Sequence, residues 1–263
     1  MIQRSFSGLR RGLTGIFVAS SLVAGSAGCG LFDTSSPVDI NVFAAHHPRR
    51  DIDGVLPIYG YNNSPRTWVN DEGWEINVTE GYIVITGASI VSCDGEAFEL
   101  ELPFGPVPEY INSTDLDVIV VGSAEIPEGD YCELEVEYGP YSATTAAMAT
   151  EGAHPIPTGR DLEGQTIFIA GRASKDDVVV DFALMSGEAS KMTLKLRDGG
   201  GTPTTFEAVA GVGAQKATVG KTYDRFFEGI DFTTYDVEAD VINAGLMQIL
   251  LDETRAYRGT TIY

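Results

Sequence analysis

Apolar and polar residues alternate along most of the chain after residue 70, and this alternation predicts β-strands. In residues 126–138, Cys132, Leu134, Val136 and Tyr138 alternate with glutamates. A period of two places the first set on one face of a strand and the carboxylates on the other. We therefore expect Cys132 to point into the core while the opposite face is wet and negatively charged.

The same pattern predicts further strands, each bounded by glycine, proline or polar residues. A short turn at Glu80-Gly81 is expected to separate two of them. The predicted strands are 38–45, 74–78, 82–92, 98–102, 117–122, 166–170, 177–184, 191–197, 205–209 and 216–219.

One helix is predicted near the end of the chain. Thr233 and Asp236 have the spacing of a capping box, and Gly259 is a plausible stop. Apolar residues recur between them at three- and four-residue steps, as on the buried face of a helix. They are Val237, Val241, Ala244, Met247, Leu250 and Leu251.

These elements predict a mainly β fold, an antiparallel β-sandwich of one large or two small units with a C-terminal helix. Four segments follow from the pattern. We expect residues 1–28 to form a signal peptide and residues 29–70 a tether and irregular wrapping segment. Residues 71–146 form a first β unit, and 147–263 a second one with the helix, or the two form one domain.

The first 28 residues have the layout of a secretory signal. Arg4, Arg10 and Arg11 precede an apolar stretch that is too short for a membrane-spanning helix. The stretch ends Ser26-Ala27-Gly28-Cys29, which resembles the lipobox of bacterial lipoproteins. The resemblance implies that Cys29 is lipidated and becomes the mature N-terminus. The alternative is cleavage by ordinary signal peptidase after Ala27, which releases a soluble protein.

Cysteine number agrees with lipidation. The chain has three cysteines, so a lipid on Cys29 leaves Cys93 and Cys132 as a pair. In an oxidising compartment we expect these two to form a disulfide. The alternative is two free, buried thiols.

The chain is strongly acidic, with 17 basic and 38 acidic residues and a net charge of −21. A phosphate backbone would repel such a protein, which excludes nucleic acid as a partner. The charge also argues against electrostatic adhesion to an anionic membrane. A lipid anchor and an envelope protein remain as expected partners.

Three histidines offer a metal site. His46, His47 and His154 all lie near prolines in segments that we interpret as loops. Together with Asp51 or Asp53 they have the chemistry to hold copper or zinc. Adjacent histidines in an extended chain point in opposite directions, however, which disfavours a shared metal. We therefore expect no resident cofactor, with copper or zinc as the alternative.

Motifs for catalysis are missing from the sequence. It has no G-x-S-x-G, no H-E-x-x-H and no phosphate-binding glycine motif. With 38 acidic residues, spacing cannot single out a catalytic carboxylate pair. We therefore expect a protein that is not an enzyme.

Residues 74–141 resemble the prealbumin-like β-sandwich domains of bacterial surface lipoproteins. In both, a strand after a Pro-Glu-Gly-x-Tyr turn, here Pro127 to Tyr131, follows a small apolar strand. The resemblance implies a β-sandwich and a place in the bacterial envelope, as an outer-membrane lipoprotein facing the periplasm or the exterior. The expected function is a non-enzymatic binding or assembly module of the envelope. The alternative is a copper- or zinc-binding lipoprotein that uses the histidine loops.

Overall fold

The structure is a computed structural model that describes residues 36–234 and 240–260, with side chains left out of the description at 240–244. Ser35–Tyr263 form one compact unit. The elements of the described residues, in chain order, are β1 Val38–His47, β2 Arg66–Val69, β3 Glu75–Ser92, β4 Ala97–Glu99, β5 Val107–Tyr110, β6 Ile119–Ile126, β7 Gly129–Tyr138, α1 Ala143–Ala147, β8 Ile167–Lys175, β9 Val178–Ser186, β10 Ser190–Arg197, β11 Phe206–Ala208, β12 Gln215–Thr222, the 3-10 helices Tyr223–Phe227 and Phe232–Thr234, α2 Asp240–Asp252 and β13 Thr254–Arg258.

A mixed sheet contains all of these strands. Nine of them follow the order β6-β1-β12-β13-β10-β7-β3-β8-β9, while β2, β4 and β5 pair with β3 and β11 pairs with β7. The prediction of a mainly β chain is confirmed. The sheet is not wholly antiparallel, however, because β1 pairs with β12, and β10 with β13, in the parallel direction. Parallel neighbours require long crossovers, and alternation within a strand does not reveal them.

The long strand β3 lies at the centre of the fold. Along one edge it pairs first with β8 and then with β7. Along its other edge it meets the short strands β2, β5 and β4 in turn. Strands from both predicted β units, 71–146 and 147–263, therefore share one sheet.

The sheet curls back on itself. Glu101, two residues beyond β4, forms a bridge with Ser123 of β6. Because β4 pairs with β3, this bridge links the β6 end of the sheet to its central strand. The curl encloses a large apolar core between the two ends.

Strand β1 shows how the sequence builds that core. Val38, Ile40, Val42 and Ala44 are all buried, and Asp39 between them is exposed. Apolar residues of β3, β7, β8 and β12 pack in the same cluster. The predicted strand at 38–45 is confirmed, and it continues to His47.

The predicted turn at Glu80-Gly81 is wrong. The backbone stays extended through both residues, and a register shift against β8 falls between Val78 and Glu80. The carbonyl of Gly81 accepts a hydrogen bond from the backbone N–H of Ile111. A side chain at Gly81 would lie 3.0 Å from Ile111, so glycine permits a close approach here rather than a turn.

The predicted C-terminal helix is confirmed as α2, where Met247 and Leu250 are buried. The proposed cap at Thr233 and Asp236 lies partly outside the described residues. The helix ends at Asp252 rather than near Gly259, because β13 inserts between β12 and β10. None of the helices in the described residues is long and apolar enough to span a membrane.

Leu134 tests the strand register of β7. Its side chain is fully buried and lies between Ile90 of β3 and Leu194 of β10. We expect Leu134→Ala to lower the free energy of unfolding by about 2–5 kcal/mol, because it leaves a cavity in the core. Urea denaturation provides the measurement. Thr193→Ala, on the exposed face of β10, is the control and should change little; equal effects would contradict the register.

Candidate binding site

The predicted disulfide between Cys93 and Cys132 is present. Its position differs from the prediction, because Cys132 is only partly buried and Cys93 is exposed. Val91 pairs with Glu133 and Ser92 with Tyr131, so Cys132 is an extra residue in β7. Such a β-bulge interrupts the alternation and turns the thiol out of the core.

The lipidation candidate, Cys29, lies outside the described residues. Lipidation therefore stays a prediction. With Cys93 and Cys132 joined, Cys29 is the remaining cysteine of the sequence.

The three histidines have three different hydrogen-bond partners. His46 donates from Nδ1 to Glu109 Oε1 at 3.0 Å. His47 donates from Nδ1 to the carbonyl of Pro48, and His154 from Nε2 to the carbonyl of Val120. The interpretation of all three as loop residues is wrong for His46 and His47, which end strand β1 and are buried.

The structure does not gather the histidines into one ligand set. Within residues 36–234 and 240–260, no group of three or more His, Cys, Asp or Glu side chains is arranged to hold a metal ion. Asp51 is instead part of a turn, where its carboxylate accepts hydrogen bonds from the backbone of Asp53 and Val55.

A buried ionic cluster surrounds His46. The parallel register of β1 and β12 places His46 beside Lys221, whose side chain is fully buried. Glu109 reaches Lys221 from β5 and forms an ion pair with it, with 2.5 Å between Nζ and Oε2. Glu109 therefore contacts both an ammonium and an imidazole.

A second ion pair lies next to the first. The guanidinium of Arg66, on β2, is 3.2 Å from Asp115 in the loop after β5. Arg66 also donates to the backbone carbonyl of Ser113. Asp115 accepts a 3.4 Å hydrogen bond from the hydroxyl of Tyr223. These contacts hold the loop at 111–118 against β1, where the N–H of Leu116 donates to the carbonyl of His46.

The charges of the cluster shift one another's pKa values. Burial by itself raises the pKa of Glu109, but the nearby Lys221 and His46 outweigh burial and hold it below its usual value. Burial raises the pKa of Asp115 despite the neighbouring Arg66. Burial also raises the pKa of Tyr223, so that its phenol stays protonated.

The cluster borders a small cavity of about 190 Å³. His46 and Glu109 line one side of it, and Pro155 and Pro157 line another. Glu109 already contacts Lys221 and His46, so its carboxylate is occupied within the fold. The cluster mainly fixes five segments to one another, namely β1, β2, β5, the loop after β5 and β12. Sequence reasoning missed Glu109, Lys221, Arg66 and Asp115, since a buried lysine or arginine has no local signature and Glu109 is 63 positions from His46.

A larger groove lies between the middle of β3 and α1, with a volume of about 630 Å³. Its lining combines hydroxyls, carboxylates and the ammonium of Lys191 with a few apolar side chains. The helix α1 is capped by Ser142, whose side chain accepts from the N–H of Thr145. Polar groups that line the groove include Thr86, Ser89, Glu99, Glu137, Ser142 and Thr145. A concave surface with convergent polar groups is the usual form of a binding site, and we take this groove as the candidate.

Comparison with known proteins gave one distant likeness. No family model matches the chain, and no curated protein matches it. A solved structure, MbnP from Methylosinus trichosporium, is similar with 11% identity and a TM-score of 0.35. The alignment covers 70% of this chain and 75% of that one. A likeness at this distance leaves the function to be argued from the residues of the chain itself.

The buried ion pair between Glu109 and Lys221 can be tested by a mutant cycle. We expect Glu109→Leu to lower the free energy of unfolding by about 3–5 kcal/mol, because it leaves a buried ammonium without its partner. Adding Lys221→Met should recover much of that loss. Asp181→Ala, in the exposed pair with Arg172, is the control and should have no measurable effect. A double variant no more stable than Glu109→Leu would contradict the pairing.

A second prediction concerns pH. Burial lowers the pKa of His154 below 6.5, the value in an unfolded chain. Below pH 6.5 the unfolded state then binds more protons than the folded state. The free energy of unfolding therefore loses nothing to His154 above pH 6.5 and falls as the pH drops below that value. We expect His154→Gln, which keeps a donor for Val120, to show a smaller decline in acid. Urea unfolding of the wild-type protein and the variant, above and below pH 6.5, measures the two declines. The contribution of Asp115 to the pH dependence is the same in both proteins and cancels in the comparison.

Proposed function

We propose that this protein is an extracytoplasmic, lipid-anchored module of a bacterial cell envelope that binds or assembles other components without catalysis. The observation that carries the proposal is the disulfide between Cys93 and Cys132. Disulfides persist in oxidising compartments and are rare in the cytosol. A protein that forms one is expected to be exported, which agrees with the apolar segment that follows Arg11.

The anchor follows from the cysteine that remains. Cys93 and Cys132 are joined to each other, and the third cysteine of the sequence, Cys29, ends the lipobox-like sequence Ser26-Ala27-Gly28-Cys29. A free thiol is open to oxidation in such a compartment, whereas attachment of a lipid to its sulfur removes that reactivity. We propose an outer-membrane lipoprotein that faces the periplasm or the exterior.

The distribution of charge favours binding over catalysis. Near His46, the buried side chains of Glu109, Lys221 and Arg66 each form an ion pair within the fold, the last with the partly buried Asp115. The groove beside α1 offers hydroxyls and the carboxylate of Glu99 to a ligand that carries hydrogen-bond donors, while Glu137 is paired with Lys191 at the same groove. A segment of an envelope protein is a partner of this kind, while the net charge of −21 opposes nucleic acid.

We propose further that the curled sheet has the layering of a β-sandwich. Support comes from the core, in which Ile40 and Val219 of the β1–β12 side cluster with Ile76 and Leu184 of the β3–β9 side. Inner faces of two layers pack in this way in sandwiches. The copper or zinc alternative has no comparable support, because His46, His47 and His154 bond three separate groups.

The anchor can be tested on protein from its own envelope. Intact mass is expected to show a chain that starts at Cys29, carries added acyl chains and retains the disulfide. Cys29→Ala should move the protein from the membrane fraction to the soluble fraction. The Cys93→Ala/Cys132→Ala variant is the control and should stay with the membrane. An unlipidated chain that starts at Gly28 would overturn the proposal.

A further inference from the structure

The disulfide lies in a concave pocket of its own, with a volume of about 400 Å³. We call it the disulfide pocket, and its lining includes Cys93, Cys132, Glu133, Lys195, Pro203 and Thr205. None of its lining residues borders the groove beside α1 or the cavity beside His46. The disulfide pocket is therefore separate from the sites described above.

The backbone holds Cys93 at the surface, in the turn between β3 and β4. Its N–H donates to the carbonyl of Asp130 on β7 at 2.9 Å. Within the turn, the N–H of Gly95 donates to the carbonyl of Ser92, and the N–H of Glu96 donates to the hydroxyl of Ser92. Cys93 is exposed although its backbone is fixed. An incoming group can therefore approach it in a defined position.

The core beside the disulfide is complete without the bond. Tyr131 and Leu134, on either side of the bulge in β7, are buried, and the ring of Tyr131 stacks on Phe206 at 5.3 Å. Both cysteines lie outside this packing, since Cys93 is exposed and Cys132 only partly buried. We therefore expect the bond to open without unpacking the core. Exposed disulfides are the labile ones, whereas structural disulfides resist reduction.

The charges around the disulfide pocket distinguish its two sulfurs. Asp94 follows Cys93 in the turn. On the other side, the register of β7 and β10 places Lys195 opposite Glu133, the residue after Cys132. An ammonium stabilises a nearby thiolate, while a carboxylate disfavours it. A negative charge is therefore more stable on Cys132, which has Lys195 in the same lining, than on Cys93.

We propose that the bond between Cys93 and Cys132 is a thiol–disulfide exchange site, and that its partner is a dithiol segment of another envelope protein, seated in the disulfide pocket. The inference goes beyond the proposed function but rests on the export that it includes. In the first step a thiolate of the partner attacks Sγ of Cys93. The disulfide breaks, and its electron pair leaves on Sγ of Cys132, which takes a proton from water.

The second thiol of the partner completes the exchange. It attacks the mixed disulfide, so that the partner acquires a disulfide and Cys93 is released as a thiol. Two electrons and two protons thus pass from the dithiol to this protein. The reverse reaction with a partner disulfide restores the bond. Each exchange is stoichiometric, which agrees with a module that does not catalyse.

The first test is reduction of the folded protein, purified from its envelope, by glutathione. After quenching in acid, peptide mass should place the mixed disulfide with glutathione on Cys93, while tryptophan fluorescence stays unchanged. Lys195→Gln should slow reduction several-fold, because the leaving thiolate loses its ammonium, and Glu133→Gln should accelerate it. Lys191→Gln, on the same strand but outside the lining of the disulfide pocket, is the control and should leave the rate unchanged.

A second test separates docking from mere exposure of the bond. Thr205→Trp fills the disulfide pocket, so it should slow reduction by a Cys-x-x-Cys peptide several-fold and leave reduction by dithiothreitol unchanged. Thr202→Trp is the control, because Thr202 is exposed in the same loop but does not line the pocket.

Reduction no faster than unfolding, or a mixed disulfide on Cys132, would overturn the proposal. Equal rates in Lys195→Gln and Lys191→Gln would do the same, as would equal effects of Thr205→Trp on the peptide and on dithiothreitol. These failures leave export standing, because a bond that resists exchange still marks an oxidising compartment. Cysteines that stay reduced even in oxidised glutathione would instead count against the disulfide, and so against the proposed function as well.

Discussion

The buried ion pair between Lys221 and Glu109 connects parts of the fold that are far apart in the chain. An ammonium removed from water is costly unless a carboxylate lies beside it. Glu109 supplies that carboxylate from β5, and His46 donates to its other oxygen. Because β5 pairs with the central strand β3, and Lys221 lies on β12 between β1 and β13, this ion pair joins the β12 side of the curled sheet to its central strand.

The same constraint positions the neighbouring loops. Arg66 is almost fully buried, and Asp115 together with the carbonyls of Ser113 and Gly60 satisfies its guanidinium. Charge-assisted contacts therefore help to hold the segments at 59–65 and 111–118 on the sheet.

Strand prediction succeeded where the chain alternates without interruption. The predicted segments at 38–45, 177–184 and 191–197 match β1, β9 and β10 closely, since each has one buried face. It failed for the short strands β2 and β5, which have four residues each and no clear period. It failed again at β13, which lies between Leu251 and the expected helix stop at Gly259 but pairs with β12. Tertiary pairing overrides local propensity at such positions.

By itself, the sequence determined the β-rich class, the C-terminal helix, the acidic surface and the pairing of Cys93 with Cys132. These depend on composition, on cysteine number and on periods of two or of three to four residues, which neighbouring positions encode. Only the tertiary structure decided the parallel strand pairs, the outward turn of Cys132 and the cluster around Lys221. Each of these depends on residues far apart in the chain, such as His46 and Glu109 at a separation of 63, and their meeting is set by strand register and by the cost of burying charge.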